Sequence, residues 1–479
     1  MQGKYTIKRN TIKKVVKSKS SSGDDFISSS IGKKSISDEE VRINIITSAR
    51  VDMSNSSRLL SPIDAEARKN GSVQRKRRRA VRNLTLKSAP PVPTAPKDPK
   101  ERRKMWILSL IKTHVSLIDV PFFALSIILC VIGLLSINSA TKSFETPKFV
   151  IVQLFGIGLG VFLSLILSVI DYRSFVSKYR YIIVFNASLL LLTYIFGSSV
   201  TEGTNSNWID LGIIKIQPSE FAKLFFIYSF SVHLSQVRDK MHKFTTVLTL
   251  GIHAAIIFGL VLLQKDLGSL TIFLVIFICM CFAAGISVWY YIAGGAAIVC
   301  VSPFIWPHLS EYQKNRILLC FDESIDPLGT GIRYQQLRSQ TAIGNGGVFG
   351  TGYTKGAVTQ GLTDHLPAKH TDMIFSTFCE EWGFIGALFV LILTTLLIVR
   401  AFKIALSCGN SIGRYICVGI ASMLMIQVIE NVGMCLGVMP VIGITYPFLS
   451  YGGSSILSCF LAVGMVLSVS THMDNSIFK

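Results

Sequence analysis

The chain has 479 residues, half of them hydrophobic and only 16% charged, with a mean hydropathy of +0.50. Apolar runs near 20 residues recur along it, which excludes an ordinary soluble domain and is typical of a multi-pass membrane protein. The net charge is +20, and most of it lies in residues 1–104, which contain 26 Lys and Arg but only 10 Asp and Glu residues. The ten cysteines include no Cys-x-x-Cys pair, so no disulfide framework or zinc site is indicated.

Residues 1–110 lack apolar periodicity, and we expect them to form a disordered, basic cytoplasmic tail. The run QRKRRRAVR, Gln74–Arg82, could contact a nucleic acid. Beside membrane spans it is better explained as a juxtamembrane anchor attracted to anionic lipid. We therefore expect anionic lipid, and no nucleic acid, as the partner of the tail.

The rest of the chain predicts an all-α polytopic membrane domain over residues 111–473, with ten transmembrane helices. Short loops rich in Lys and Arg fall on the side of the tail, so the positive-inside rule places both termini in the cytoplasm. One long extracytoplasmic loop, 307–372, separates spans seven and eight, and loops of this length are usually functional. The predicted spans are 117–137, 148–170, 180–198, 217–236, 245–264, 267–286, 288–306, 373–399, 413–436 and 446–470.

Span four begins QPSEFAK, residues 217–223, and its proline suits the first turn of a helix. Glu220 and Lys223 then share one helical face, either as an ion pair at the helix end or as a charged wall of a cavity. Asp266 follows in a polar turn between spans five and six. A turn alone would explain its polarity.

The long loop combines glycines with basic residues, among them Arg316. Arg and Lys are the usual binders of phosphate, so this loop either meets an anionic partner or is a solvated basic loop. Asp372 ends the loop and opens span eight, which also contains Glu380 and Glu381. Because ionisable groups in a membrane face a partner charge, a protein interior or a wet cavity, this stretch either lines a site or holds a buried structural pair.

The last block, Asn431–Leu457, breaks two spans with Gly and Pro and exposes several serines. Irregular backbone at membrane depth is tolerated only where protein buries it or where it lines a cavity. Glu430 and Asn431 are best explained as polar glue between helices. The sequence contains no GxSxG, HExxH or Walker pattern, so classical hydrolase and nucleotide-driven chemistry are unsupported.

Five separated motifs resemble signatures of the SEDS proteins, the RodA, FtsW and SpoVE group, and they occur in the family's order. They are WIDLGIIKIQPSEFAK, QKDLGS, TAIGNGGVFGTG, LPAKHTDMIFSTFCEEWGFIG and PVIGITYPFLSYGGSS. The resemblance covers residues 118–473 and leaves out the tail. The stretch before the Leu-Pro looks more like the RodA branch than the others.

The resemblance implies a peptidoglycan glycosyltransferase that polymerises lipid II at the outer face of the bacterial cytoplasmic membrane, for cell-wall elongation and cell shape. It implies a class B penicillin-binding protein as partner, within the elongation or division machinery. Asp372, the aspartate of the family's His-Thr-Asp motif, is the expected general base, and a divalent cation (Mg²⁺ or Mn²⁺), if one is used, would bind there. The expected substrate-binding residues are Gln217, Ser219, Glu220, Lys223, Asp266, Arg316, His370, Ser450 and Ser454.

Some positions depart from the family pattern: Asn207 stands where many members have Arg, and Met373 replaces the usual Phe. Two alternatives to the polymerase stay open at this point. A lipid II flippase would spread its charged residues through the depth of the bilayer. A scaffold would only recruit the penicillin-binding protein. Separately, the polymerase could serve division or sporulation, which would place it in the FtsW or SpoVE branch.

Overall fold

The computed structural model describes residues 118–144, 147–197, 207–210, 215–309, 311–319, 321–362 and 365–473. The predicted tail, with its lipid-binding run, lies outside these residues. The described part of the chain is helical apart from one short hairpin, in which β1 (Ile209–Asp210) pairs antiparallel with β2 (Lys215–Ile216). This confirms the all-α class.

Helices occur at all ten positions where the sequence predicts a span. They are α1 (Val120–Thr141), α2 (Lys148–Val169), α3 (Tyr179–Phe196), α4 (Pro218–Val237), α5 (Phe244–Leu263), α6 (Leu267–Ala284), α7 (Val288–Ile305), α10 (Ile374–Ser407), α11 (Ser411–Leu436) and α12 (Gly453–Thr471). Eight of the described helices are long and apolar enough to cross a membrane, which establishes a multi-pass protein. The count of ten spans and the cytoplasmic termini stay predictions.

The two helices outside that set of eight are α4 and α7, and they differ in burial. Fourteen of the 20 residues of α4 are buried, and the helix packs against α3, α5, α6, α11 and α12. A central helix of this kind can carry ionisable side chains because protein, rather than lipid, surrounds them. Most described side chains of α7 are exposed, among them Trp289 and Phe304, as expected for a helix at the lipid-facing rim.

Small residues bring α12 against α2. A methyl group at Gly160 would lie 2.7 Å from the ring of Phe460, and one at Gly464 would lie 2.8 Å from the Cα atom of Ser164. Interfaces between membrane helices are rich in small residues because close backbone approach supplies the van der Waals contact that drives their association. This contact fixes α12, whose first residue follows the 437–452 segment that links α11 to α12.

The predicted long loop contains two helices, α8 (Glu311–Leu318) and α9 (Tyr334–Gly346), and it folds back onto α10. Helix α10 is kinked at Gly383, where φ is +66°. The backbone N–H groups of Thr351 and Gly352 donate to the carbonyl oxygens of Glu380 and Glu381, at 2.9 and 3.0 Å. The loop therefore satisfies carbonyl groups that the kink removes from the helical pattern, which is how an irregular backbone is tolerated in a membrane helix.

Candidate active site

Hydrogen bonds from two parts of the bundle hold the backbone that leads into Asp372. The side-chain amide of Asn431, on α11, donates to the carbonyl oxygen of Asp372 at 2.8 Å. In the 437–452 segment, the hydroxyl of Ser450 donates to the carbonyl oxygen of Thr371 at 2.7 Å. The N–H of the next residue donates to the carbonyl oxygen of His370 at 2.9 Å. Three consecutive carbonyl groups are thus fixed from outside the loop.

The carboxylate of Asp372 is open in the sense that no described residue donates a hydrogen bond to it, while its backbone is held. The residue is partly exposed. Gly443 approaches it closely, since a methyl group there would lie 3.4 Å from Oδ2. Desolvation raises the pKa of Asp372 to about 6, and the charge of Arg316 acts in the opposite direction. A fixed carboxyl group with a pKa near neutrality suits a general base.

Arg316 brings a positive charge to this group from α8. Its Nη1 atom donates to the carbonyl oxygen of Val441, 2.5 Å away, in the 437–452 segment. The guanidinium is near enough to Asp372 to act on its pKa. A guanidinium is always charged and its planar donors match a phosphate group, so the group offers both a base and a site for an anion.

The ring of His370 packs in an aromatic box formed by Phe144, Phe149 and Tyr451, with ring centroids 5.7, 5.0 and 5.6 Å away. Burial lowers the pKa of His370 to about 4, and the charge of Lys369 acts in the same direction. The imidazole is therefore neutral near pH 7. Its Nδ1 atom is buried without a hydrogen-bond partner among the described residues, so a substrate contact by His370 stays a prediction.

Glu220, Lys223 and Asp266 form a second polar group. The Nζ atom of Lys223 donates to Glu220 at 2.8 Å, and the hydroxyl of Ser458 donates to the other carboxylate oxygen at 3.0 Å. Asp266 accepts the N–H and the hydroxyl of Ser269, at 3.0 and 2.8 Å; burial raises its pKa and these bonds lower it. Lys223 is 0% exposed. The geometry thus favours a closed ion pair over an open cavity wall, and substrate binding by Glu220, Lys223 and Asp266 stays a prediction.

Three further predicted residues join this second group through hydrogen bonds within the protein. The backbone N–H of Gln217 donates to the hydroxyl of Ser454 at 3.1 Å, and that hydroxyl donates to the carbonyl oxygen of Lys215 at 3.4 Å. The hydroxyl oxygens of Ser219 and Ser269 are 3.3 Å apart. These contacts fix the start of α4 against α6 and α12, and substrate binding by the three residues stays a prediction.

The chain between α11 and α12 lies beside both groups. A methyl group at Gly268 would lie 3.1 Å from the carbonyl oxygen of Ile442, next to Gly443 at the Asp372 carboxylate. The hydroxyl groups of Thr445 and Ser455 are 2.9 Å apart. The first group comprises Asp372, Arg316, His370 and Ser450, and the second comprises Gln217, Ser219, Glu220, Lys223, Asp266 and Ser454.

Glu380 and Glu381 anchor the long loop to α10. Glu380 accepts hydrogen bonds from the N–H of Val358 at 2.9 Å, the N–H of Thr359 at 2.8 Å and the hydroxyl of Thr359 at 2.6 Å. Glu381 accepts the hydroxyl of Ser139 and one backbone N–H of the loop at 3.2 Å. Of the two readings that the sequence left open for these carboxylates, a buried structural role is the one the geometry supports.

Two residues, Asn431 and Lys369, link the chain around Asp372 to other segments in ways that the sequence did not predict. Asn431, interpreted as polar glue, also donates to the carbonyl oxygen of Ile444 at 2.7 Å and so joins Asp372 to the 437–452 segment. Lys369, one of the basic residues of the long loop, is buried and donates to the carbonyl oxygen of Thr359 at 2.6 Å. In the sequence, only the position of Lys369 beside the His-Thr-Asp motif could have suggested this structural role.

The described residues contain no group of three or more His, Cys, Asp or Glu side chains that could hold a metal ion. Mg²⁺ is often bound by one or two carboxylates together with substrate phosphates. The single open carboxylate of Asp372 fits that arrangement, in which most ligands come from the substrate and from water. Metal binding at Asp372 therefore stays a prediction.

Comparisons with known proteins agree with the motifs. The family model for FtsW, RodA and SpoVE, described as cell cycle protein, matches residues 117–475. Stage V sporulation protein E of Bacillus subtilis is 35% identical over 363 residues, covering 74% of this chain and 97% of that protein. Peptidoglycan glycosyltransferase MrdB of Escherichia coli is 33% identical over 323 residues, covering 66% and 84%.

A solved structure reported for a peptidoglycan synthase complex, in work on the coordination of polymerization and crosslinking, matches with a TM-score of 0.64 and 29% identity. The match covers 74% of this chain and 99% of that chain. The fold, the order of the motifs and the extent of these matches lead to one conclusion. The chain belongs to the FtsW, RodA and SpoVE family of multi-pass bacterial membrane proteins.

Proposed function

We propose that this protein is a peptidoglycan glycosyltransferase of the bacterial cytoplasmic membrane, which polymerises lipid II at the outer face. Family membership supports the activity, because a relative that shares a third of its residues carries that name. The single observation that carries the assignment to residues is the Asp372 carboxylate, which stays open while three neighbouring carbonyl groups are fixed.

Asp372 acts as the general base of an inverting transfer. The 4-hydroxyl of one disaccharide attacks C1 of the other, the new O–C1 bond forms, and the bond from C1 to the polyprenyl pyrophosphate breaks. The proton of the attacking hydroxyl passes to the Asp372 carboxylate, and the bonding electrons leave with the pyrophosphate. One displacement turns an α-linked donor into a β-linked product without a covalent intermediate. Positioned proton transfer of this kind typically contributes about 10²–10⁴-fold in rate.

The departing pyrophosphate needs positive charge, and Arg316 is a cation whose charge acts on the proposed base. Its guanidinium is held on the 437–452 segment, so the charge needs no rearrangement as the bond breaks. A divalent cation that binds both Asp372 and the pyrophosphate would supply further charge. Loss of polymer on chelation, restored by Mg²⁺ or Mn²⁺, is the expected result of a metal titration.

The partner and the biological setting belong to the same proposal. The solved neighbour comes from a peptidoglycan synthase complex, which supports a class B penicillin-binding protein as the partner here. The relatives do not separate the branches, since the sporulation protein and MrdB are 35% and 33% identical. We favour a RodA-like role in elongation and cell shape, with division or sporulation as the alternative that a depletion phenotype distinguishes.

The first experiment compares wild type with Asp372→Asn, using purified protein, labelled lipid II and a divalent cation, with and without a partner penicillin-binding protein. The expected result is polymer from wild type and at least a hundredfold less from Asp372→Asn, by the magnitude of general-base catalysis. Asp322→Asn is the matched control, because it makes the same chemical change at an exposed position of the same loop. Its activity should equal that of wild type.

Two outcomes would overturn parts of this proposal. Normal polymerisation by Asp372→Asn would reject the base and leave the activity in place. No polymer from wild type, together with lipid II translocation in vesicles, would favour the flippase. The polar residues support the enzyme, because Glu220, Asp266 and Asp372 all lie at the N-terminal ends of helices that begin on the side predicted to face outward.

A further inference from the structure

A cavity of about 830 Å³ opens between the start of α3 and the end of α4, away from both polar groups. Its lining combines two arginines with hydroxyl, amide and apolar groups. The lining residues are Arg173, Val176, Ser177, Tyr179, Arg180, Tyr181, Val184 and Gln236. None of them is assigned a part in the transfer reaction.

The cavity and Asp372 lie at opposite ends of α12. Just before the N-terminal end of that helix, the backbone N–H of Tyr451 donates to the carbonyl oxygen of His370, near Asp372. Beyond its C-terminal end, the carbonyl oxygen of His472 accepts a hydrogen bond of 2.8 Å from Arg173 of the cavity. Since α12 has 19 residues, the two places are about 28 Å apart along the helix. The cavity thus faces the side predicted to be cytoplasmic.

The cavity presents one positive charge that the described residues leave unneutralised. Arg173 is already paired, with Asp171 at 3.9 Å and His472 at 2.8 Å. Arg180 is exposed, its Nε atom donates to the hydroxyl of Tyr179 at 3.4 Å, and its guanidinium lies over that ring at 5.9 Å. No carboxylate among the described residues forms an ion pair with Arg180. The tyrosine orients the guanidinium and leaves its outer donors available for an anion.

Apolar side chains continue the cavity wall along α3. Tyr181 is 77% exposed and Val184 is 65% exposed, and both lie on a helix that is apolar enough to cross the membrane. Exposed apolar residues on such a helix contact acyl chains. A ligand that fits both parts of the surface has a negative head at the level of Arg180 and a hydrocarbon chain that continues along α3.

We propose that this cavity binds the headgroup of an anionic phospholipid from the cytoplasmic leaflet, with Arg180 on the phosphate and Tyr181 and Val184 against an acyl chain. Basic pockets between membrane helices on the cytoplasmic side are known to take such headgroups. The site ties α3 and α4 to the lipid at the end of the bundle opposite the transfer reaction.

The test titrates the full-length purified protein in detergent with phosphatidylglycerol, phosphatidylcholine or inorganic phosphate, and counts bound molecules by native mass spectrometry. Arg180→Gln should weaken phosphatidylglycerol binding at one site about tenfold or more, the loss expected for one charge-assisted hydrogen-bonded pair. Arg238→Gln is the matched control, because it removes the same charge from an exposed residue on the same side that does not line the cavity. Its binding should equal that of wild type.

Every other outcome overturns the site. Equal losses in both variants would show a general attraction between basic loops and lipid. Phosphatidylcholine binding as tightly as phosphatidylglycerol would remove the role of net negative charge. Competition by millimolar phosphate would assign the cavity to a soluble anion instead. Val184→Asn tests the acyl-chain contact, and it should weaken phosphatidylglycerol binding. Its thermal unfolding should match that of wild type, which would show that the variant still folds.

Discussion

The adjacent carboxylates Glu380 and Glu381 make a sharp test of the way in which the long loop is anchored. Both are buried in the kinked part of α10, yet their surroundings differ. Both oxygens of Glu380 accept hydrogen bonds, from the N–H of Val358 and from the N–H and hydroxyl of Thr359. Glu381 keeps its Oε2 atom buried and without a partner among the described residues. The same substitution, Glu to Gln, should therefore have different costs at the two positions.

In Glu380→Gln, an NH₂ group replaces one of the two carboxylate oxygens that accept hydrogen bonds. This group cannot accept a bond from the backbone N–H or hydroxyl group that faced the lost oxygen. If the remaining oxygen stays with Thr359, which supplies two of the three hydrogen bonds, the N–H of Val358 is left buried and unpaired. One unsatisfied buried donor costs about 1–3 kcal/mol. A value of about 2 kcal/mol corresponds to an opening of the loop that is roughly 30-fold more frequent. At Glu381 the NH₂ group can occupy the place of the unpartnered Oε2, so we expect a change below about 1 kcal/mol.

Hydrogen exchange followed by mass spectrometry measures this difference directly. Peptides that cover residues 353–362 should exchange roughly 30-fold faster in Glu380→Gln than in wild type, and less than about fivefold faster in Glu381→Gln. Polymerisation should fall with Glu380→Gln as well. The reason is that Lys369, two residues before Thr371, donates to the carbonyl oxygen of Thr359 at 2.6 Å and so links this loop to the segment of Asp372.

Equal exchange in the two variants would refute this account of the anchor. So would a larger effect at Glu381, which would mean that the unpartnered oxygen has a partner in the working enzyme, such as substrate. Loss of polymer with unchanged exchange would point to direct chemistry by Glu380 instead of support of the loop.

Three further predictions follow from the geometry. Because the pKa of Asp372 is raised to about 6, its base form is lost below that pH, and polymerisation should fall about tenfold for each pH unit below 6 and level off above it. Because the pKa is raised from an ordinary value of 3.8 to about 6, the cost to stability grows as the pH rises from about 4 to 6 and is complete above 6, so Asp372→Asn should unfold at a higher temperature than wild type at pH 8. Gly133→Ala should destabilise the fold by about 1–3 kcal/mol, since its methyl group would lie 2.5 Å from the carbonyl oxygen of Phe448. Gly158→Ala is its control on α2, where a methyl group meets nothing within 4 Å, and it should be neutral or slightly stabilising in thermal unfolding.

Hydropathy predicted where the helices lie but not the way in which they are interrupted. Span eight was placed at 373–399, and the helix runs over Ile374–Ser407 with a kink at Gly383. The kink depends on backbone partners near residue 350, some 30 positions earlier. No local pattern can report a partner that distant, whereas the apolar content of the span is local. The length of the long loop predicted a functional role, which stays a prediction, but it did not predict the two helices that the loop contains.

The site shows the same division between local and distant contacts. The ion pair of Glu220 and Lys223 was predictable as one of two readings, because residues three apart share a helical face. The bond from Asn431 to Asp372 joins residues 59 positions apart, and it could not be read from spacing. The motifs identified Asp372 through resemblance to a family. Only the folded chain shows that its backbone is fixed while its carboxylate is open.

The two polar groups differ in how their charged side chains are paired. Lys223 is closed off by its pairing with Glu220, so that pair contributes rigidity near α6 and α12 instead of a free cation. Asp372 has the opposite arrangement, with support at its carbonyl oxygen and none at its carboxylate. Since the 437–452 segment touches Arg316, Gly268 and the carbonyl oxygen of Thr371, any movement of this segment would shift the proposed base and the neighbouring cation together. If Asp372 is the base, the site is preorganised, because the surrounding protein, and not the substrate, fixes the proposed base and its neighbouring cation.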